Sequence, residues 1–498
     1  MGIIKKQSIK SSIFIFIGFA IGGLNMLVLF PRFLTQDELG LTRAMIEISL
    51  TLSTLCTLGS VSVIYKFFPY YNAYLEEKKN DLPLVTAAVC LIGFLLVLLA
   101  GFIFKDLIIR KLGKSPGFAA YFYTVYPFTL FLLLFTWLEA FSWSFKRTVI
   151  TSFLRETGVR VVSTLLILLY GFHIISIKGF INLFSLLHLI PALLLLFILL
   201  YTSNWRFYIT SVSSVTKRLK SRMISFGMFV FVSHFLNVLS KTNDTILIIG
   251  LRGLADTGVF AIASYIIAVM EIPQRSLGAI STPVLSEAWK NYDLKNIELV
   301  YKKSVANLLV IGLILFGLII LNVHNVTGFL GKNYEQVELI VLIMGIAKIL
   351  DLGTGINSLI IGTSNHWKFD FYTNIIYTLM SLPLNFFLIK HFGLKGVAFA
   401  SLISLTIYNA IRFSFLYFKF GFQPYTIKSL LAILLAAVNF YLIYLIPRFP
   451  NVFIDTFIRS LVLMITFVPL IYILNIAPDL NSIVINVKNQ LFNRTRQR

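Results

Sequence analysis

The stretch NDTILIIGLRGLADTGVFAIASYI (243–266) has a counterpart about 218 positions earlier, NMLVLFPRFLTQDELGLTRAMIEI (25–48). The match places Asn25 on Asn243 and Gly40 on Gly258. Each stretch has the pattern of a helix end, a short loop with an acidic residue before a glycine, and the start of a new helix. Because an even number of apolar blocks separates the two stretches, the repeat predicts two pseudo-symmetric halves related by an axis along the membrane normal.

The composition around this repeat indicates a membrane protein. The chain has 498 residues, of which 58% are hydrophobic and 13% are charged. The apolar residues form blocks of about 20, the length that crosses the hydrocarbon of a bilayer as a helix. The sequence therefore predicts an all-α polytopic protein with about fourteen spans. Their expected limits are 9–31, 39–66, 83–104, 118–143, 151–171, 176–201, 223–250, 256–282, 304–323, 335–362, 370–390, 396–418, 427–446 and 456–475.

The net charge of +22 comes from basic residues that lie mostly in the gaps between the apolar blocks. Anionic lipid head groups and the positive-inside rule explain this distribution, so we expect membrane lipid, and not nucleic acid, as a partner. Counting Lys and Arg beside alternate gaps predicts a multi-pass protein of the cell (inner or cytoplasmic) membrane with both termini in the cytoplasm.

The repeat also predicts the division of the chain. We expect an N-terminal lobe of six spans over 1–205, a cytoplasmic linker over 206–222 and a second lobe of six spans over 223–420. Two further spans are expected over 421–480, followed by a basic cytoplasmic tail over 481–498. We expect a monomer to be functional.

Sequence patterns for catalysis are absent. The sequence contains no GxxxxGK[ST] phosphate loop, no HExxH and no Cys/His cluster, so we predict no catalytic residue, cofactor or metal and expect a protein that is not an enzyme. Asp37 and Glu38 resemble the acidic residues of some membrane glycosyltransferases. The pattern TQDE (35–38) is instead typical of a capping box, with Thr35 as N-cap and Glu38 three residues later.

Within LNVLSKTNDTILIIGL (236–251), a cation and an anion interrupt an apolar span. Lys241 and Asp244 belong to a polar stripe at helical spacing, formed by Ser233, His234, Asn237, Ser240, Lys241, Asp244 and Thr245. Such a stripe faces protein or a wet cavity. Two interpretations are open: a buried Lys–Asp pair that joins helices, or the wall of a substrate cavity.

Other predicted spans also carry charged pairs at helical spacing. The pairs are Arg43 with Glu47, Glu271 with Arg275, and Lys348 with Asp351, and Glu139 lies in the fourth span. Together with Asn25, Asn237, Lys241 and Asp244, these three pairs form the candidate substrate cavity. Intramembrane acids can also take up a coupling ion, H⁺ or Na⁺, and the candidates for this are Asp244, Asp351 and Glu139.

Several motifs resemble the Wzx-type polysaccharide flippases of the multidrug/oligosaccharidyl-lipid/polysaccharide (MOP) exporter superfamily. They are KQSIKSSIFIFIGFAIGGLNMLVLFPRFLTQDELGL, TSFLRETGVRVVSTLLILLYG, ADTGVFAIASYI and FGLKGVAFASLIS (392–404). The resemblance implies a MATE-like fold whose two lobes surround a cavity that opens alternately to each side. It also implies that the last two spans, which are apolar in sequence, line a groove for a lipid tail.

The cargo implied by this resemblance is a polyprenyl-diphosphate-linked oligosaccharide, moved to the outer leaflet for surface polysaccharide such as the O-antigen of lipopolysaccharide. Two alternatives are an ion-coupled multidrug exporter of the MATE type and a flippase for the peptidoglycan lipid precursor. In the latter group arginines lie on spans 1, 2 and 8. Arg43 and Arg275 match the last two, and span 1 has only Arg32 at its end, which departs from that pattern.

Overall fold

A computed structural model describes residues 2–112, 115–202, 208 and 211–477, and over these residues the chain forms helices and no strands. The chain divides into two compact units, Met1–Ala261 and Ile262–Arg498. This division falls inside the expected second lobe, because helix α13 packs mainly on α3 and α4 of the first unit. The lobe limits expected from the repeat remain a prediction, and the expected basic tail lies outside the described residues.

The first unit contains the helices that precede residue 262. They are α1 (Gly2–Leu24), a π-helix (Asn25–Leu29), α2 (Phe30–Phe33), α3 (Gln36–Cys56), α4 (Ser60–Tyr74), α5 (Leu82–Ile103), α6 (Lys105–Lys111), α7 (Pro116–Ala120), α8 (Val125–Ser144), α9 (Thr148–Ser152), a second π-helix (Phe153–Gly158), α10 (Val159–Gly171), α11 (Ile177–Phe184), α12 (Leu189–Thr202), α13 (Ser214–Leu251) and the first half of α14 (Leu254–Ala268).

The second unit begins within α14. Its remaining helices are α15 (Ile272–Lys290), α16 (Leu294–Leu330), α17 (Gln336–Gly353), α18 (Asn357–Thr363), α19 (Trp367–Phe392), α20 (Leu394–Phe420), α21 (Ile427–Tyr444) and α22 (Val452–Ile473).

In the described part of the chain, 12 helices are long and apolar enough to cross a membrane, and a bent pair, Lys332–Gly353 with Asn357–Thr363, raises the number to 13. The sequence predicts about fourteen. The difference lies in the expected fifth span, 151–171, which is helical throughout as α9, the second π-helix and α10. Arg155, Glu156 and Arg160 place three charged residues in every 18-residue stretch of this segment, so it is not apolar enough to count as a crossing helix.

Local sequence explains where α3 begins. The Thr35 hydroxyl accepts a hydrogen bond from the Glu38 backbone N–H, and the Glu38 carboxylate accepts one from the Thr35 N–H at 2.8 Å. The capping box predicted from TQDE is therefore confirmed, and Glu38 is engaged in starting a helix.

Apolar side chains form a core in each unit. In the first unit, side chains of α3, α4, α5, α8 and α12 pack together, and the largest include Tyr71, Phe135 and Phe141. In the second unit, α16 packs against α21 and α22 through residues such as Leu313, Leu463 and Phe467. These cores fix the helices that carry the buried charges.

Candidate functional site

Charged residues of α17 and of the N-terminal end of α15 meet in the second unit around Lys348 of α17. The Lys348 ammonium lies 2.9 Å from Asp351 Oδ2 and 3.3 Å from Glu271 Oε1, and its side chain is only 11% exposed. Glu271 also pairs with Arg275 of α15 at 2.8 Å, and the Arg275 side chain is 74% exposed. The four charges therefore form one chain that runs from a buried ammonium to an exposed guanidinium.

Polar side chains of α18 and α20 extend this chain of charges. Asn409 of α20 donates to Asp351 Oδ1 at 3.0 Å. Its own amide oxygen accepts hydrogen bonds from Thr354 at 2.9 Å and from Asn357 at 3.0 Å. Because each carboxylate oxygen of Asp351 has a donor, the side chain is held in place.

A second ion pair lies beside this chain. Arg412 of α20, buried except for 3% of its side chain, contacts Asp370 Oδ1 of α19 at 2.5 Å. Its Nε donates to the Thr373 hydroxyl at 3.1 Å, and its guanidinium lies 3.8 Å from the centre of the Tyr408 ring. Ser358 of α18 also donates to Asp370 Oδ1, at 3.0 Å. We call the side chains of these two connected clusters the C-terminal polar network.

A cavity lies beside the network where the chain bends between helices α17 and α18. Helices α17 and α18 meet at an angle of 43°. The bend contains Gly355, whose φ of +69° is in the left-handed region that glycine adopts without strain. The cavity has a volume of about 430 Å³. Its lining includes Gln274, Asp351, Asn357, Asp370 and Arg412, so most of its polar wall comes from the network.

The network holds three cations and three anions, so its formal charge is balanced. Buried ion pairs add little net stability because desolvation offsets the attraction between the charges. Removing one partner is different, since it leaves an uncompensated charge and costs about 3–5 kcal/mol. A balanced network that ends at an exposed guanidinium can accept an anionic group without first being rebuilt.

In the first unit, Glu139 of α8 is buried and forms an ion pair with Arg155 of the second π-helix. Half of the Arg155 side chain is exposed, and its guanidinium lies 5.7 Å from the centre of the Phe135 ring. The sequence predicted Glu139 as a coupling acid but not its partner. The π-helix is not visible in the sequence, so its effect on where Arg155 points was not predictable.

Asn25 lies in the first π-helix and is buried. Its amide donates to the Arg160 carbonyl at 3.0 Å and accepts from the Thr164 hydroxyl at 2.8 Å. The side chain therefore joins the first π-helix to α10. Arg43 and Glu47 of α3 form the pair expected from their spacing, with Glu47 buried and the Arg43 side chain 30% exposed.

The polar stripe of α13 is partly exposed. His234, Asn237 and Lys241 are exposed, whereas Asp244 is half-buried. On the other side of the helix, the Thr242 hydroxyl lies 2.8 Å from that of Thr51 in α3. The structure thus brings four predicted site residues together in the C-terminal polar network and leaves Asn237 and Lys241 on a separate helix face.

Asp370 is a member of the network that sequence reasoning missed. It and Arg412 are separated by 42 positions, and only the packing of α19 on α20 joins them. Asn409 and Arg412 were visible as polar residues in an apolar span, but the sequence did not indicate their partners.

The prediction that the last two spans are apolar is corrected by a buried ion pair in α22. Asp455 and Arg459 of α22 form a buried ion pair at 2.8 Å, and Asn325 of α16 donates to Asp455 at 2.8 Å. A cavity of about 480 Å³ beside them is lined by aromatic residues of α21 and by charged groups that include Glu338 and Arg448. The i, i+4 spacing of Asp455 and Arg459 was the signal that could have revealed this pair.

The chain is similar to known proteins both in sequence and in fold. The model of the polysaccharide biosynthesis protein family matches residues 8–289. The chain is similar to the solved structure of the lipid II flippase MurJ in an inward closed conformation, with 17% identity and a TM-score of 0.73, over 94% of this chain and 98% of that one. A comparison with curated protein sequences gives no match.

Two structures of a multidrug resistance MATE family transporter of the MOP superfamily are also similar. The inward-facing one has 15% identity and a TM-score of 0.57 over 82% of this chain and 94% of that chain. The outward-facing one has 13% identity and a TM-score of 0.57 over 84% and 96%. At this identity the likeness establishes the fold, and the prediction of an all-helical, MATE-like membrane protein is confirmed.

Proposed function

Because the chain belongs to the polysaccharide biosynthesis protein family, we propose that it is a flippase that moves polyprenyl-diphosphate-linked oligosaccharides from the cytoplasmic to the outer leaflet by alternating access. The predicted membership of the exporter superfamily is confirmed by this match. The Wzx subtype, a role in surface polysaccharide such as O-antigen, and a location in the inner membrane with cytoplasmic termini are parts of the proposal.

The C-terminal polar network is the observation that carries the proposal. A diphosphate and acidic sugars present oxygen acceptors, which arginine and lysine bind through charge-assisted hydrogen bonds. The exposed Arg275 guanidinium offers such donors, and Asn357 and Gln274 line the adjoining cavity with groups suited to sugar hydroxyls. The exposed Asn237 and Lys241 provide a second polar surface on α13.

A charged group on an exposed face of a spanning helix faces water more readily than hydrocarbon. We therefore propose that the α13 face lines an aqueous path and that Lys241 contacts the phosphate or an acidic sugar. Asp244, Asp351 and Glu139 are the proposed sites of a coupling ion, H⁺ or Na⁺. Asp351 and Glu139 already hold a cationic partner, so uptake of an ion by either requires that this partner move.

The exposed cations weigh against export of cationic drugs, since Arg275 and Lys241 attract anions. Transport of the peptidoglycan lipid precursor is the second candidate, favoured by the likeness to MurJ over 94% of the chain. We propose that the protein acts as a monomer and catalyses no covalent change in its cargo.

The proposal is tested with the full chain in liposomes that contain a fluorescent polyprenyl-diphosphate oligosaccharide. We expect loss of fluorescence from the leaflet of origin, with a rate that depends on the imposed ion gradient or potential. The peptidoglycan precursor and a cationic dye serve as competing cargoes in parallel liposomes. If the oligosaccharide stays in its leaflet under every gradient while either competing cargo moves, the proposal is wrong.

A further inference from the structure

A groove in the first unit lies between α4 and the beginning of α13, and its lining includes none of the residues proposed to contact cargo. It has a volume of about 670 Å³, within the range of about 300–1,000 Å³ typical of small-molecule sites. Its lining includes Lys66, Tyr70, Arg222, Ser225, Phe226 and Phe229. We call this cavity the basic groove.

The charge of the basic groove has one sign. Lys66 and Arg222 both line it and are exposed, and none of its described lining residues is acidic. The described ion pairs include neither of these two side chains. Three more exposed basic residues, Lys217, Arg218 and Lys220, lie on the first turns of α13 beside it. The groove is therefore suited to an anion.

Its other wall is aromatic. The Lys66 ammonium lies 3.8 Å from the centre of the Phe226 ring, at the distance of a cation–π contact. Tyr70 is 48% exposed and Phe229 is 49% exposed, so both present ring surface beside the cations. A ligand that fits this surface has a negatively charged end joined to an apolar one.

The position of the groove on α13 agrees with a ligand at a membrane surface. A helix of 38 residues extends about 57 Å, whereas the hydrocarbon core is about 30 Å thick. The first turns of α13, which carry the basic residues, therefore extend beyond the hydrocarbon when its apolar part spans it. Arg222 directly precedes the apolar block predicted to begin at 223.

Hydrogen bonds hold the groove in shape without a ligand. The Asp81 carboxylate accepts bonds from the Ser213 N–H and the Thr216 hydroxyl, each at 2.8 Å. The Tyr71 hydroxyl of α4 forms a hydrogen bond with that of Thr216 at 2.6 Å. These buried contacts join the start of α13 to α4, so binding requires little reorganisation of the walls.

We propose that the basic groove binds an anionic glycerophospholipid of the surrounding membrane. Lys66 and Arg222 contact the phosphodiester, Ser225 bonds to the glycerol, and the chains leave over Tyr70 and Phe229. None of the residues that line this site is proposed to contact cargo, and the proposal does not depend on the proposed function. It gives the protein a fixed contact with the anionic leaflet.

The test uses the purified full chain in neutral detergent, titrated with dioctanoyl phosphatidylglycerol and followed by native mass spectrometry. The double variant Lys66→Gln/Arg222→Gln is expected to bind at least about tenfold more weakly, because two charge-assisted hydrogen bonds are lost. The matched control Lys290→Gln/Lys295→Gln removes two exposed charges elsewhere and is expected to bind like the parent protein.

A second variant, Ser225→Leu, narrows the groove without a change of charge and is expected to weaken binding as well. If thermal unfolding shows that the double variant does not fold, the binding affinity of Ser225→Leu is the test of the proposal. Equal affinity for dioctanoyl phosphatidylcholine, or unchanged binding in both groove variants, overturns the proposal. So does tighter binding of a short polyprenyl diphosphate that the groove variants abolish, since the groove would then hold cargo.

Discussion

Gly40 and Gly258, which the sequence repeat places on one another, pack against each other's segments through backbone atoms. A Cβ at Gly40 would lie 1.9 Å from the Leu254 carbonyl oxygen, and a Cβ at Gly258 would lie 2.4 Å from that of Gln36. Gln36 and Leu254 are separated by the same 218 positions as the two glycines. The contact between the starts of α3 and α14 is therefore itself pseudo-symmetric, as the repeat requires.

This contact predicts that Gly40→Ala and Gly258→Ala each lower the free energy of unfolding by about 1–3 kcal/mol, because backbone cannot move away as a side chain can. The double variant is expected to lose less than the sum, since both changes widen one contact. Denaturant unfolding in detergent measures both effects. Gly328→Ala, where a Cβ meets nothing within 4 Å, is the control and should be neutral or stabilising. Additive losses would show that the two glycines act independently.

Lys348 is expected to hold the C-terminal polar network together. Lys348→Met leaves Glu271 and Asp351 without their shared cation and should cost about 3–5 kcal/mol in the free energy of unfolding. The triple variant Glu271→Gln/Lys348→Met/Asp351→Asn removes the charges together and should recover part of that loss without recovering transport. If the triple variant recovered transport together with stability, the role of the network would be structural only.

Arg412 is expected to tolerate no replacement by lysine. Its guanidinium contacts Asp370 and Thr373 and stacks on Tyr408, and an ammonium cannot reproduce this planar arrangement. Arg412→Lys should lower the free energy of unfolding by about 1–3 kcal/mol. The exposed Arg218→Lys should change it by less than about 0.5 kcal/mol. If both variants changed the free energy of unfolding by similar amounts, the planar guanidinium of Arg412 would not be required.

Asn25 is expected to act in stability and not in cargo binding. Asn25→Ala removes the bonds to Arg160 and Thr164 and should cost about 1–3 kcal/mol. The transport rate per folded molecule in liposomes should stay close to that of the parent protein. If the variant unfolded normally but lost transport, Asn25 would instead belong to the substrate cavity, as the sequence predicts.

Lys241→Ala is expected to show the opposite pattern. Because Lys241 is exposed, its removal should change the free energy of unfolding by less than about 1 kcal/mol. Flipping of the polyprenyl-diphosphate oligosaccharide should be slowed, and Asp244→Ala should be defective separately. The exposed Lys295→Ala serves as the control in the same assay. Normal flipping in both α13 variants, with folding intact, would assign the polar stripe to helix packing.

The sequence by itself determined all but one of the expected spans, the start of α3 and the repeat, because each depends on residues close along the chain or on a regular spacing. Apolar length decides which segments cross a bilayer, and TQDE supplies its own cap. Ion pairs within one helix, such as Arg43 with Glu47, follow from the 3.6-residue period in the same way.

Only the tertiary structure decided which charges share a site. Arg412 meets Asp370, and Lys348 meets Glu271, through the packing of helices whose relative rotation no local pattern fixes. The π-helices that aim Arg155 at Glu139 and bury Asn25 are also set by packing, since one extra residue in a turn leaves little trace in composition. The polar residues were visible in the sequence, and the fold selected their partners.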